Sequence, residues 1–141
     1  MFRRRKTWGE AGGGREDPSE SLDVPAKARN VLLTLLGVAG LVLKGRYSGP
    51  YQAAVHSYGG NIAASFAAYF VLTHLPLPQK FRRLAAAGMA LAVVELFEAT
   101  NGFQVMTNVH DPADYAANAV GIVLALLVDA AASRIAGRGS K

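Results

Sequence analysis

Four apolar segments separated by short polar connections constrain this chain more than any other feature. They cover about 28–43, 60–77, 84–100 and 113–133, and each is 16–21 residues long. As helices they would span roughly 24–31 Å, close to the thickness of bilayer hydrocarbon at about 30 Å. None carries the broad charged stripe of a surface helix in a soluble protein. We therefore predict an all-α, four-transmembrane-helix bundle.

The basic residues are distributed to one side of such a bundle. If the N-terminus is cytoplasmic and every segment crosses once, only Lys44 and Arg46 of the 15 Lys and Arg residues fall outside. This asymmetry is typical of a multi-pass protein with both termini in the cytoplasm. It also accounts for the net charge of +5 without a nucleic-acid partner.

The segments set the expected domain organisation and location. Residues 1–27 are polar and rich in Gly, Glu and Arg, which predicts a flexible basic cytoplasmic tail without a secretory signal. We expect a membrane domain over 28–135, a second cytoplasmic tail over 136–141 and a place in a bacterial inner membrane. The chain has no cysteine, so disulfides and thiolate metal sites are excluded.

Helical geometry predicts how segments three and four pack. At 100° per residue, Glu95 shares an arc of small residues on segment three, and Asp114 and Asn118 share a similar arc on segment four. Small residues let membrane helices approach closely, and polar ones bond across the contact. We expect Glu95 near Asn118. The predicted packing residues are Gly88, Ala92, Gly121 and Ala125.

These helices predict a polar cluster that opens outward. Ionisable groups inside a membrane are costly, so Glu95 and Glu98 are candidate functional residues, although hydrogen bonding to a neighbouring helix would also explain them. "DPAD" predicts a helix start, with Asp111 as the N-cap and Pro112 in the first helical position. Asp114 falls where a capping-box acid falls and also on the polar face, so a capping role and a site role are both open for it. Asp129 is expected to pair with Arg82, Arg83 or Arg134. The candidate site comprises Glu95, Glu98, Asp114, Asn118, Asn61, Asp111 and His56.

Metal and cofactor chemistry find little support. His56 and His110 could join carboxylates around a metal, but no HExxH or comparable ligand spacing is present. We predict no metal and no cofactor. Residues 47–61 are expected to form an outer loop that covers the polar cluster or simply connects two helices.

The stretch "ELFEATNGF…HDPADYAANAVG" resembles the signature of VanZ-like membrane proteins. That signature has Glu-x-x-Gln ending one helix, a loop with Arg and Asp, then Asp-x-x-x-Asn-x-x-Gly entering the last helix. Glu95, Asp114, Asn118 and Gly121 stand at the matching positions, and "NIAASFAAYF" from Asn61 resembles the family's N-I-x-x-F. The resemblance covers roughly 30–135. Glu98 replaces the Gln, and Asn108 replaces the loop Arg.

The resemblance implies a membrane fold with a polar cluster, in a family named for a protein linked to glycopeptide resistance. Three functions follow as hypotheses. The cluster could bind or process a lipid or cell-wall precursor, serve a small oligomeric proton-coupled transporter, or act as interhelical contact in a structural subunit of a membrane complex. The expected partners are the bilayer, such a precursor, and another copy or a complex. Catalysis is left open.

Overall fold

A computed structural model describes residues 18–100 and 111–138 of the 141. The four long helices in these ranges are α1 (Pro18–Leu43), α2 (Gln52–Leu72), α3 (Arg82–Ala99) and α4 (Pro112–Arg138). Short 3-10 turns at Lys44–Arg46 and Gln79–Phe81 precede α2 and α3. No strand occurs in the described part of the chain, so the all-α prediction is confirmed there.

The helix boundaries correct two of the predictions. Residues 18–27 were assigned to the flexible tail but belong to α1, which begins at Pro18. Proline suits a first helical position because its missing N–H would have no intrahelical partner there. The expected outer loop 47–61 is also shorter than predicted, because α2 already begins at Gln52. Residues 1–17, 101–110 and 139–141, with the rest of both predicted tails, lie outside the described ranges.

Helix α2 occupies the centre and packs against the other three helices. It supplies the large core side chains Phe66, Tyr69 and Phe70, and the last two meet edge to face with ring centroids 5.0 Å apart. The opposing surfaces are small, because α3 contributes only alanines and α4 an isoleucine and an alanine. These residues are Ala86, Ala87, Ala90, Ile122 and Ala125.

A glycine sets the distance between α2 and α4. A Cβ added to Gly121 would overlap the backbone oxygen of Ile62 and lie 2.9 Å from Cβ of Ser65. The two backbones therefore approach more closely than any side chain at position 121 would allow. Gly121 was expected to face α3, but this contact shows that it faces α2.

The packing residues predicted on α3 need correction as well. Gly88 and Ala92 are exposed, and a Cβ at Gly88 would meet nothing within 4 Å. Helix α3 is instead buried through Ala86, Ala87 and Ala90, which lie on a different side of the helix. On α4, Ala125 is fully buried as expected.

The outside of the bundle is strongly apolar. On α1 alone, Leu32, Leu36 and Val42 are each more than 60% exposed. Two stretches, Ala26–Arg46 and Pro112–Gly137, are long and apolar enough to cross a bilayer. Central helices of soluble proteins can share that length and composition, but they are mostly buried, whereas only 11% and 22% of these windows are.

Candidate functional site

Three helices meet at a buried chain of polar side chains. Ser65 of α2 donates a 2.8 Å hydrogen bond to Oδ1 of Asn118 on α4. The Asn118 side chain also lies close to the carboxylate of Glu95 on α3. Since Oδ1 of Asn118 accepts from Ser65 and a carboxylate can only accept, the amide nitrogen is the group of Asn118 that can donate to Glu95. Ser65 is fully buried, and Asn118 is 3% exposed.

This geometry confirms the expected proximity of Glu95 and Asn118 and adds a residue that sequence reasoning missed. Ser65 lies in the N-terminal half of the second predicted segment, among alanines, where a serine is common and carries little information. The signal that could have found it is Gly121. Gly121 lies one turn after Asn118 on the same side of α4. A glycine there indicates that another helix packs very closely against this side of α4, and that helix is α2 rather than α3.

The second oxygen of the Glu95 carboxylate has no partner within the described ranges. Oε2 is buried and accepts no hydrogen bond from any described residue. A buried acceptor without a donor is costly, by about 1–3 kcal/mol and more when it is charged. The atom therefore needs a proton of its own or a donor from outside the described residues.

Glu98 lies one turn further along α3 and is the more buried of the two glutamates, with 8% exposed. Helical geometry predicts Glu98 at the edge of the small-residue arc of segment three. It lies close enough to Glu95 for the two carboxyl groups to interact electrostatically. The pair therefore lies together at one end of the described part of α3, next to the chain through Asn118.

Asp111 begins α4 as the sequence predicts. Its Oδ1 accepts the Ala113 backbone N–H at 2.9 Å, and Pro112 takes the first helical position. Its Oδ2 accepts a 3.3 Å hydrogen bond from the Tyr58 hydroxyl. The nearby negative charge of Asp111, together with this bond, raises the pKa of Tyr58 above its ordinary value.

The other candidate residues lie around this end of the bundle. Asn61 and Asp114 are half-buried, and neither side chain is hydrogen-bonded to another described residue. His56 lies near the start of α2, and its Nε2 is 2.9 Å from the carbonyl oxygen of Tyr47 in the α1–α2 connection. The structure thus brings Glu95, Glu98 and Asn118 together, with Asp111 at the start of α4. His110 and Asn108 lie outside the described ranges.

A second polar cluster lies at the opposite ends of the helices, around Asp129 of α4. Its carboxylate contacts Arg29 at 2.7 Å and Arg83 at 2.9 Å, and it accepts a 3.0 Å hydrogen bond from Tyr69. Pairing with Arg83 was predicted; pairing with Arg29 was not. Arg29 lies near the start of the first predicted segment and Asp129 near the end of the fourth, and the four-helix arrangement brings both to one end of the bundle.

Around the described histidines and acids, no group of three or more could hold a metal ion. Comparison with protein-family models, with curated proteins and with solved structures finds no match for this chain.

Proposed function

We propose that this is a VanZ-like, multi-pass protein of a bacterial inner membrane, with four spans and both termini in the cytoplasm. We further propose that its polar cluster binds the headgroup of an envelope lipid or cell-wall precursor through Glu95 and Asn118. The membrane part of the proposal is supported by the apolar exterior and by the two helices long enough to span. The orientation is supported by the one-sided distribution of Lys and Arg.

The observation that carries the binding proposal is the unpartnered Oε2 atom of Glu95. Ser65 and Asn118 are hydrogen-bonded to each other, and the Asn118 side chain lies close to the Glu95 carboxylate. One acceptor is therefore held in a fixed position with its hydrogen bond unmade. Ionisable groups inside membranes are typically functional when they occur.

The chemistry of that atom indicates the class of ligand. An unprotonated carboxylate oxygen is an acceptor only, so the complementary group is a hydroxyl or an ammonium. Lipid headgroups and the sugars of cell-wall precursors carry such donors. A hydrogen bond to a charged partner contributes about 1.5–3 kcal/mol, enough to select one headgroup over another.

Glu95→Gln tests this proposal, because the substitution keeps the shape and the bond to Asn118 but weakens the acceptor. The full-length protein would be purified in detergent and titrated, by native mass spectrometry, with phosphatidylethanolamine, phosphatidylglycerol and a polyprenyl-linked sugar precursor. We expect one of these to bind at least tenfold more weakly to the variant. Equal binding of all three to both proteins would reject the proposal.

A proton-coupled transporter is the second candidate, and the proximity of Glu95 to Glu98 supports it. Neighbouring carboxyl groups inside a membrane are typical of the proton relays of transporters. Flux into liposomes driven by a pH gradient, abolished by Glu95→Gln, would favour transport over binding. If Glu95→Ala and Asn118→Ala lower stability alone, the protein is a structural subunit instead.

A further inference from the structure

The cavity around Asp129 is separate from the Glu95 site and has a different chemistry. It has a volume of about 770 Å³ and lies where α1, α3, α4 and the α2–α3 connection meet. Four cationic side chains line it, and Asp129 is the one carboxylate among its lining residues, which leaves an excess of three positive charges. The cations are Arg29, Lys80, Arg82 and Arg83.

Two of the arginines use one edge of the guanidinium group to contact the protein, and the N–H donors on the other edge have no partner among the described residues. Arg83 uses Nε to contact Asp129, and its two terminal nitrogens have no partner among the described residues. Arg82 donates Nε and one terminal nitrogen to the Thr73 carbonyl oxygen, at 3.2 and 2.6 Å. Each guanidinium is therefore oriented by the protein while it retains donors for a ligand.

Arg29 has a different role in the same cavity. Its guanidinium nitrogens are engaged by Asn30, Asp129 and Ser133. Because Asp129 contacts both Arg29 and Arg83, its single charge is divided between them and neutralises neither fully. The ammonium group of Lys80 lies 5.2 Å from the centroid of the Phe81 ring and has no hydrogen-bond or ion-pair partner in the described part of the chain. The open donors thus belong to Lys80, Arg82 and Arg83.

We propose that this cavity binds a phosphate group, carried by an anionic lipid. Guanidinium groups with free edges match the oxygens of a phosphate, and basic pockets between helices on the cytoplasmic side of a membrane suit lipid headgroups. The cavity is also lined by Leu84, which is 69% exposed, and Leu127, which is 63% exposed. Cationic side chains next to exposed leucines match an amphiphilic molecule better than a free ion.

The orientation agrees with this assignment. Under the proposed topology, Arg29, Arg82 and Arg83 lie at the cytoplasmic ends of their helices, where the anionic headgroups of the inner leaflet are found. The inference requires the membrane location but not a ligand at Glu95. Failure of one site therefore leaves the other untouched.

The test uses the full chain in nanodiscs or detergent and three probes: phosphatidylglycerol, phosphatidylcholine and soluble glycerol 3-phosphate. Native mass spectrometry would count bound lipid and give its affinity. We expect phosphatidylglycerol to bind at least tenfold more tightly than phosphatidylcholine, and less tightly as salt is raised. Competition by glycerol 3-phosphate would confirm the phosphate site and identify a soluble source; its absence would identify the lipid.

Matched arginine variants distinguish lipid binding in the cavity from the general attraction of an anionic lipid to a basic protein. Arg83→Gln and Arg82→Gln should each weaken phosphatidylglycerol binding about fivefold or more. Arg134→Gln removes the same charge from an exposed position on α4 outside the cavity, and Arg46→Gln removes it at the other end of the bundle. Both controls should change binding less than twofold.

Lys80→Gln is a control for misfolding: Lys80 makes no ion pair with any described residue, so its loss should leave the fold intact. We expect it also to weaken phosphatidylglycerol binding about fivefold. The proposal is overturned if Arg134→Gln weakens binding as much as Arg83→Gln, if Lys80→Gln has no effect, or if the two lipids bind equally.

Discussion

Arg29 and Asp129 lie 100 residues apart in sequence and form a 2.7 Å ion pair that links α1 to α4. The same carboxylate accepts hydrogen bonds from Tyr69 of α2 and Arg83 of α3. Asp129 therefore has partners on all three of the other helices, and its side chain is 8% exposed. This buried carboxylate fixes how the four helices meet at the end of the bundle opposite the Glu95 site.

Asp129→Ala should lower the free energy of unfolding by about 2–4 kcal/mol. Removing one member of a buried charge network leaves its partners uncompensated, which costs about 3–5 kcal/mol when all are buried. Arg29 and Arg83 are 27% and 49% exposed, so water offsets part of that loss. Chemical denaturation in mixed micelles would measure it. A loss below about 0.5 kcal/mol would show that the network does not stabilise the bundle.

Tyr69→Phe removes one hydrogen bond from the same carboxylate and keeps the ring in the core. Hydrogen bonds between membrane helices contribute about 0.6–1 kcal/mol, so we expect a loss near 1 kcal/mol in the same denaturation assay. Tyr51→Phe is the matched control, because Tyr51 is 85% exposed and its hydroxyl should contribute nothing measurable. Equal losses in the two variants would contradict the assigned role of Tyr69.

The contact of Glu95 with Asn118 could be predicted from the sequence, whereas the contact of Arg29 with Asp129 could not. Glu95 was placed beside Asn118 because both lie on small-residue arcs of predicted helices, and helical periodicity is a local property. Arg29 and Ser65 were missed because their partners depend on which helix is central. Periodicity predicts which side of a helix is polar, but it does not predict which other helix packs against that side. Helix α2 is central because it supplies the large aromatic core residues and packs closely against Gly121 of α4. Gly88 was misplaced for the same reason.

Gly121→Ala should be strongly destabilising, and Gly88→Ala should not. The added methyl group at position 121 would overlap the Ile62 carbonyl oxygen and force α2 and α4 apart, at a cost of about 1–3 kcal/mol. At Gly88 the methyl group meets open space, and alanine is the better helix former by up to about 1 kcal/mol. Thermal denaturation of the pair would measure opposite shifts, and a stabilising Gly121→Ala would refute the close approach.

Ser65→Ala tests the polar chain from its far end. Without the Ser65 hydroxyl, Oδ1 of Asn118 is left buried without a donor, which should cost about 1–2 kcal/mol of unfolding free energy. Ser57→Ala is the matched control, because Ser57 is exposed on the same helix. If the hydrogen bond from Ser65 also positions the Asn118 amide for Glu95, Ser65→Ala should weaken headgroup binding at Glu95 as well as stability. Identical behaviour of the two serine variants would remove Ser65 from the site.

Tyr58 should titrate later than an ordinary tyrosine because the Asp111 carboxylate disfavours a second negative charge beside it. The neutral phenol is the favoured form in the folded protein. Its contribution to stability is therefore fully present below the ordinary pKa of 10.0 and is lost as the pH rises through the raised folded value. Tyr58 lies just before the proposed span 60–77, so water and base can reach its side chain.

Asp111→Asn isolates this effect, since asparagine caps a helix about as well as aspartate and keeps α4 intact. We expect the variant to lower the pKa of Tyr58 toward its ordinary value. Tyrosinate absorbance in the near ultraviolet, recorded as a difference against Tyr58→Phe, would follow the titration. Asp114→Asn should shift it less, because Asp114 contributes the smallest of the charge effects on Tyr58. An unchanged titration in Asp111→Asn would show that the two side chains do not interact in the folded protein.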